Sequence, residues 1–92
     1  MTVGHAVILH GCTVHDRVLV GMGSIVLDEA VLEEDVILGA GSLVTARTRI
    51  PAGMLAFGRP AKPIRPLTEA ERQSIREAAA HYVENTRVYR GA

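Results

Sequence analysis

An aliphatic residue stands at every sixth position between Val14 and Ile50: Val14, Val20, Val26, Leu32, Leu38, Val44 and Ile50. An α-helix returns a side chain to the same face about every 3.6 residues, and a hairpin sheet alternates with a period of about two between irregular turns. A strict period of six fits neither. It fits short strands joined by equivalent corners, repeated along the chain. Four places after an anchor the side chain is small or β-branched, at Val18, Ser24, Ala30, Val36 and Ser42. A turn-tolerant residue often follows the anchor directly, as at Gly21, Glu33 and Gly39.

Composition limits what can fill such a structure. With no Trp, one Phe and two Tyr, the core must be built from Val, Ile, Leu and Ala, which suits repetitive strands. Ninety-two residues make one domain that buries a modest share of its surface, so self-association is expected. A formal net charge of zero supplies no electrostatic basis for holding nucleic acid or an anionic membrane. No stretch approaches the roughly 18 apolar residues of a membrane span, and no signal-peptide pattern opens the chain. The expectation is a soluble, unexported protein. The single cysteine, Cys12, cannot close an intrachain disulfide, which fits a reducing cytoplasm. It reads as a small, half-buried hydrophobe.

The residue classes at each repeat position resemble the hexapeptide-repeat family. That resemblance implies a left-handed parallel β-helix with three repeat units per triangular coil. Strands eighteen positions apart would then stack, Val14 over Leu32, Val20 over Leu38 and Val26 over Val44. The residues just before the anchors should face outward, yet Leu19, Ile25, Val31, Ile37 and Leu43 are apolar. Two outer faces, Leu19 with Ile37 and Ile25 with Leu43, are therefore greasy, while Thr13, Val31 and Arg49 make a mixed third. Apolar outer faces ask for cover. The expectation is that the chain's own terminal helix covers one and a neighbouring subunit covers another, trimers being the family's habit.

After Ile50 the repeat decays into the proline-rich stretch from Pro51 to Pro66, where the prolines cannot donate ladder hydrogen bonds. Thr68 followed by Glu71 is a capping-box signature, so a helix begins there. Ile75, Ala78, Ala79, Tyr82 and Val83 form its apolar stripe, and its end falls near Asn85 to Arg87. The resulting organisation is one structural domain: residues 1–66 as β-helix and closing strap, residues 67–92 as helix and tail. Gly58-Arg-Pro-Ala-Lys62 is similar to the exit segment of hexapeptide acyltransferases and γ-class carbonic anhydrases, and reads as an extended strap.

The sharpest functional signal is Gly4-His5, four residues, then His10-Gly11-Cys12. Imidazoles are the commonest zinc donors, but catalytic zinc needs three protein ligands and an open position. The context, running into the repeats and on to Gly21-Met-Gly-Ser-Ile-Val-Leu-Asp28, resembles the C-terminal half of a γ-class carbonic anhydrase. By that resemblance His5 and His10 are metal ligands, donated to different ions at the subunit boundaries of a trimer. Zinc is the implied metal, with cobalt or iron as alternatives. The register slips by one residue between Leu9 and Val14, altering the turn beside His10. In the family a third histidine and the proton-handling residues come from an earlier coil that is absent from this sequence.

His15 reads as an exposed corner, and His81 as a packing or solvent-edge residue. Asp16, Asp28 and the Glu33-Glu34-Asp35 run are given no chemical role. No catalytic residue is identifiable. The leading expectation is a truncated γ-carbonic-anhydrase-like, metal-binding homotrimer with reversible CO2 hydration weak or lost. CO2 and bicarbonate would be its substrates if it is active. A second reading is an acyl-CoA-dependent hexapeptide acyltransferase with a histidine general base. A third is a non-enzymatic assembly scaffold, whose open strand edge from Thr2 to Leu9 would let two trimers meet edge to edge.

Overall fold

The structure is a computed structural model that describes residues 2–78. The expected helical positions Ala79, Tyr82 and Val83, the helix end and His81 lie outside the described residues. Eleven strands form three sheets. The first sheet holds β1 (Thr2–Val3), β4 (Val18–Val20), β7 (Val36–Leu38), β10 (Met54–Gly58) and β11 (Ala61–Pro66), in that order. The second holds β2 (Ile8–Leu9), β5 (Ile25–Val26) and β8 (Leu43–Val44), and the third β3 (Thr13–Val14), β6 (Val31–Leu32) and β9 (Arg49–Ile50). All ladders are parallel except that of β10 with β11. The fold is the expected left-handed parallel β-helix, with a helix at its C-terminal side over residues 69–78.

A prism of such short strands requires a sharp turn every six residues, and the backbone supplies it in one way. Ala6, Gly11, Arg17, Gly23, Glu29, Asp35, Gly41, Arg47 and Gly53 all have φ between 55° and 74°, the left-handed region. The turning residues recur six apart except for the step from Ala6 to Gly11, which is five. Side chains other than glycine rarely adopt this conformation and cost of order 1–3 kcal/mol when held in it. Five of these corners are built from such residues. The ladders on both sides and the core stack must therefore outweigh the corner cost.

The anchors provide that stack. Val20, Val26, Leu32, Leu38, Val44 and Ile50 are at most 1% exposed, and Val18, Ala30 and Val36 are fully buried beside them. Each such Val, Leu or Ile contributes roughly 1.5–3 kcal/mol by leaving water. The buried hydroxyls among them are satisfied: Ser24 and Ser42 both donate to the Gly39 carbonyl, at 3.2 and 2.7 Å, and the Gly58 N–H donates to Ser42 Oγ. Val7, Cys12 and Val14 of the first coil pack on the core but are only partly buried. The reason is topological, since β1, β2 and β3 each pair on one side only.

The outward residues Leu19, Ile25, Val31, Ile37 and Leu43 are half-buried. The strap β11 folds back antiparallel on β10 and approaches β8. The helix is tied to the corner that joins the third sheet to the first. There the Arg72 guanidinium lies where a Gly53 Cβ would be and pairs with Asp35 at 3.5 Å, while Leu67 N–H donates to the Gly53 carbonyl. Ile75 is fully buried. The capping box forms as expected: Thr68 N–H donates to Glu71 Oε1 at 2.8 Å, and Glu71 N–H to Thr68 Oγ1 at 3.1 Å. Arg65 adds a two-pronged contact to the same carboxylate, at 2.7 and 2.8 Å.

Two predictions follow from these features. A methyl at Gly41 meets no neighbour within 4 Å, so Gly41→Ala should cost about 1–2 kcal/mol through backbone conformation alone. A Cβ at Gly21 would lie 2.6 Å from the Ala40 nitrogen, so Gly21→Ala should cost clearly more by prising two coils apart. Urea melts of the two variants check the order. Separately, the Arg65 guanidinium, with help from the Thr68 N–H, holds the Glu71 carboxyl down at about 2 from its ordinary 4.5. A carboxyl depressed in the folded state stabilises above its unfolded value and loses that contribution as pH falls. Wild type should lose an increment of thermal stability between pH 4.5 and about 2 that Glu71→Gln does not show.

Candidate functional site

The two histidines of the motif stand at opposite ends of one short strand. His5 occupies the corner between β1 and β2, and His10 the corner between β2 and β3. Both are exposed. Their backbones are fixed by the coil above: Gly23 N–H donates to the His5 carbonyl and His10 N–H to the Val26 carbonyl, each at 2.9 Å. The imidazoles therefore sit on two different edges of the prism and do not converge. Among the described residues no three His, Cys, Asp or Glu side chains gather as a metal-holding group.

The shortened corner gives His10 a partner that the sequence reading passed over. Leu9 pairs with Val26, seventeen residues on, whereas Val14 pairs with Leu32, eighteen on. The first coil is thus one residue short between Leu9 and Thr13, and its corner draws in over the corner that follows β5. Asp28 projects from that longer corner and meets His10: Nδ1 and Asp28 Oδ1 are 2.5 Å apart. Gly11 makes the approach feasible. It takes φ 65°, and a Cβ there would collide with the Asp28 carboxylate. The signal in the sequence was the five-residue step itself, joined to an acid eighteen positions after His10.

A carboxylate on Nδ1 has a specific chemical meaning. It accepts the Nδ1 proton, which leaves the Nε2 lone pair free and orients the ring. Metal-binding histidines are commonly held in this way. Side-chain exposures of 73% for His10 and 61% for Asp28 leave the free face open to an ion or a second chain. A single oriented imidazole is chemically suited to a metal such as zinc, but on the described residues it is one donor, and any metal held there would need further ligands from elsewhere.

The other candidates fall away from this edge. His15 is an exposed residue at the corner after β3. Of the acids given no chemical role, Glu33, Glu34 and Asp35 are not simply solvated, because they tie coils together, while Asp16 is exposed at its corner. Arg17 bonds Asp35 at 2.8 Å and Glu34 at 3.1 Å across one coil step. Glu33 pairs with Arg49, whose guanidinium holds that carboxyl below the usual range. Such exposed pairs contribute little individually, though a ladder of them fixes register. Cys12 is half-buried against the core, as expected. Arg59 Nε donates to the Gly41 carbonyl at 2.9 Å, pinning the turn between β10 and β11, while Lys62 is exposed; the segment is a strap. No helix of the described residues is long and apolar enough to cross a membrane.

Comparison with known proteins agrees with this architecture. No family model matches the chain. It is 44% identical over 89 residues to the mitochondrial γ carbonic anhydrase 2 of Arabidopsis thaliana, matching 97% of this chain and 32% of that protein. Against a carbonic anhydrase of Geobacillus kaustophilus identity is 47%, over 98% of this chain and 50% of the relative. Against protein YrdA of Escherichia coli it is 55%, over 91% and 46%. The chain thus spans half or less of the length of these curated relatives. Among solved structures, a hexapeptide transferase family protein from Anaplasma phagocytophilum superposes with a TM-score of 0.86 at 46% identity, covering 94% of this chain and 52% of that one. With its six-residue repeat, its three-sided coils and these relatives, the chain is similar to γ-class carbonic anhydrases and to left-handed β-helix proteins of the hexapeptide-repeat type, over about half or less of their length.

Proposed function

We propose that this chain is a metal-binding, γ-carbonic-anhydrase-like protein that works as a homotrimer, with His5 and His10 serving as ligands to ions shared between subunits. The observation that carries this reading is the placement of two exposed imidazoles at opposite ends of β2. Ligands so divided suit two half-sites, each completed by a neighbouring copy, better than one site within a chain. The half-buried apolar faces carrying Ile25 with Leu43 and Leu19 with Ile37 supply surface for such neighbours. Ile8, on the strand between the histidines, is 53% exposed and extends that surface.

When bound, zinc supplies Lewis acidity that makes water nucleophilic toward CO2 near neutral pH. The chain's own contribution is narrower. His5 and His10 would hold the ion, and Asp28 would keep a proton on His10 Nδ1. One His5 and one His10 from adjoining copies make two protein ligands, where catalytic zinc takes three. CO2 hydration by this span alone is therefore weak or lost, and zinc, cobalt or iron would be held with water or another group completing the shell.

The named similarity to a hexapeptide transferase favours a second reading, an acyl-CoA-dependent acyltransferase. An imidazole with an acid on Nδ1 is also equipped to act as a general base. The two readings separate on the ligand. Chelator-treated protein reloaded with zinc should take up metal in sub-stoichiometric to equimolar amounts and sediment as a trimer, while His5→Ala and His10→Ala should each lose most of that metal. Metal analysis and sedimentation check this. Wild type that stays metal-free but shows a CoA-dependent rise in Tm would replace the first reading with the second.

A further inference from the structure

We infer that Asp28 is a positioning residue for His10, and that the one-residue-short corner of the first coil exists to bring the two together. The inference rests on the metal reading of His10 and adds to it a residue outside the histidine motif. In the full-length coils the N–H of each turning residue donates to a carbonyl nineteen positions back, Arg47 to Asp28, Gly41 to Met22 and Gly53 to Glu34, whereas Glu29 N–H reaches Gly11, only eighteen back. Between Leu9 and Thr13 one residue is missing from that pattern. The shortened corner places His10 against the side chain of Asp28, with Nδ1 at 2.5 Å from Oδ1.

Three features make this arrangement specific. Gly11 adopts φ 65° and has no Cβ to strike the carboxylate. The His10 backbone is pinned by its N–H bond to Val26, so ring orientation is the one freedom left for Asp28 to set. Both side chains are exposed, at 73% and 61%, so an aspartate placed there for packing would bury little. The carboxylate selects the tautomer that carries its proton on Nδ1 and presents Nε2 outward as the donor atom.

The test compares wild type, Asp28→Ala and Asp28→Asn, with His10→Ala as the control that removes the ligand. Two readouts are taken: the tautomer of His10 from ring 15N shifts in metal-free protein, and zinc affinity from competition with a chromophoric chelator. Wild type should show His10 protonated on Nδ1. Asp28→Ala should populate the Nε2–H form and bind zinc about 10–100-fold more weakly, with an unchanged melting temperature. Asp28→Asn, whose amide oxygen can still accept from Nδ1–H, should recover most of the tautomer and part of the affinity. Inserting one glycine after His10, which restores an eighteen-residue coil, should mimic Asp28→Ala. If Asp28→Ala keeps the wild-type tautomer or binds zinc as tightly as wild type does, the role of Asp28 is overturned while the metal reading stands. If wild type takes up no zinc at all, the metal reading falls and this inference with it.

Discussion

The whole structure depends on a backbone turn that most residues resist. Each corner of the prism passes through the left-handed region, and only some of those corners carry glycine. What holds Arg17, Glu29, Asp35 and Arg47 there is cooperation between neighbouring coils. Every corner is stitched to the next through amide bonds such as Gly41 N–H to the Met22 carbonyl and Arg47 N–H to the Asp28 carbonyl, and buried side chains, mostly aliphatic, stand behind those of the second and third coils. The local cost is met by contacts eighteen residues away, so no single coil would hold this shape alone.

The same constraint explains why side chains at the corners interact along the prism and not along the chain. Arg17 reaches Asp35, Arg49 reaches Glu33, and His10 reaches Asp28. Each pair joins one coil to the next. Where the coil has its full length these pairs are ion pairs that set register. Where it is one residue short, the pair is an imidazole and a carboxylate with an open nitrogen. The corner that carries the imidazole pair is also the one shortened by a residue.

Much of the fold was legible in the sequence because the core repeats. The anchors from Val20 to Ile50 and the second inward positions at Val18, Ser24, Ala30, Val36 and Ser42 are all buried in the structure. The capping box at Thr68 and Glu71 forms between the residues named for it. The corners were less legible, since glycine marks fewer than half of the left-handed positions and the rest are Ala, Arg, Glu and Asp, which carry no such signature. The contact of Asp28 with His10 was missed for a related reason. The partner of Asp28 lies eighteen residues back on a slipped register, and an acid at a corner has no periodicity to mark it. The histidines stood out through their motif, and they lie at two edges of the prism, at either end of β2.

Because five of the seven parallel ladders join residues eighteen apart, the molecule is modular along its axis. A whole coil gained or lost leaves every other stacked pair in register, whereas a change of one residue shifts all inward side chains of that turn outward unless a corner absorbs it. Length in such a lineage can therefore drift in quanta of one coil without redesign of the core. A contact housed within two adjacent turns travels intact through such changes, and that of His10 with Asp28 is housed in that way.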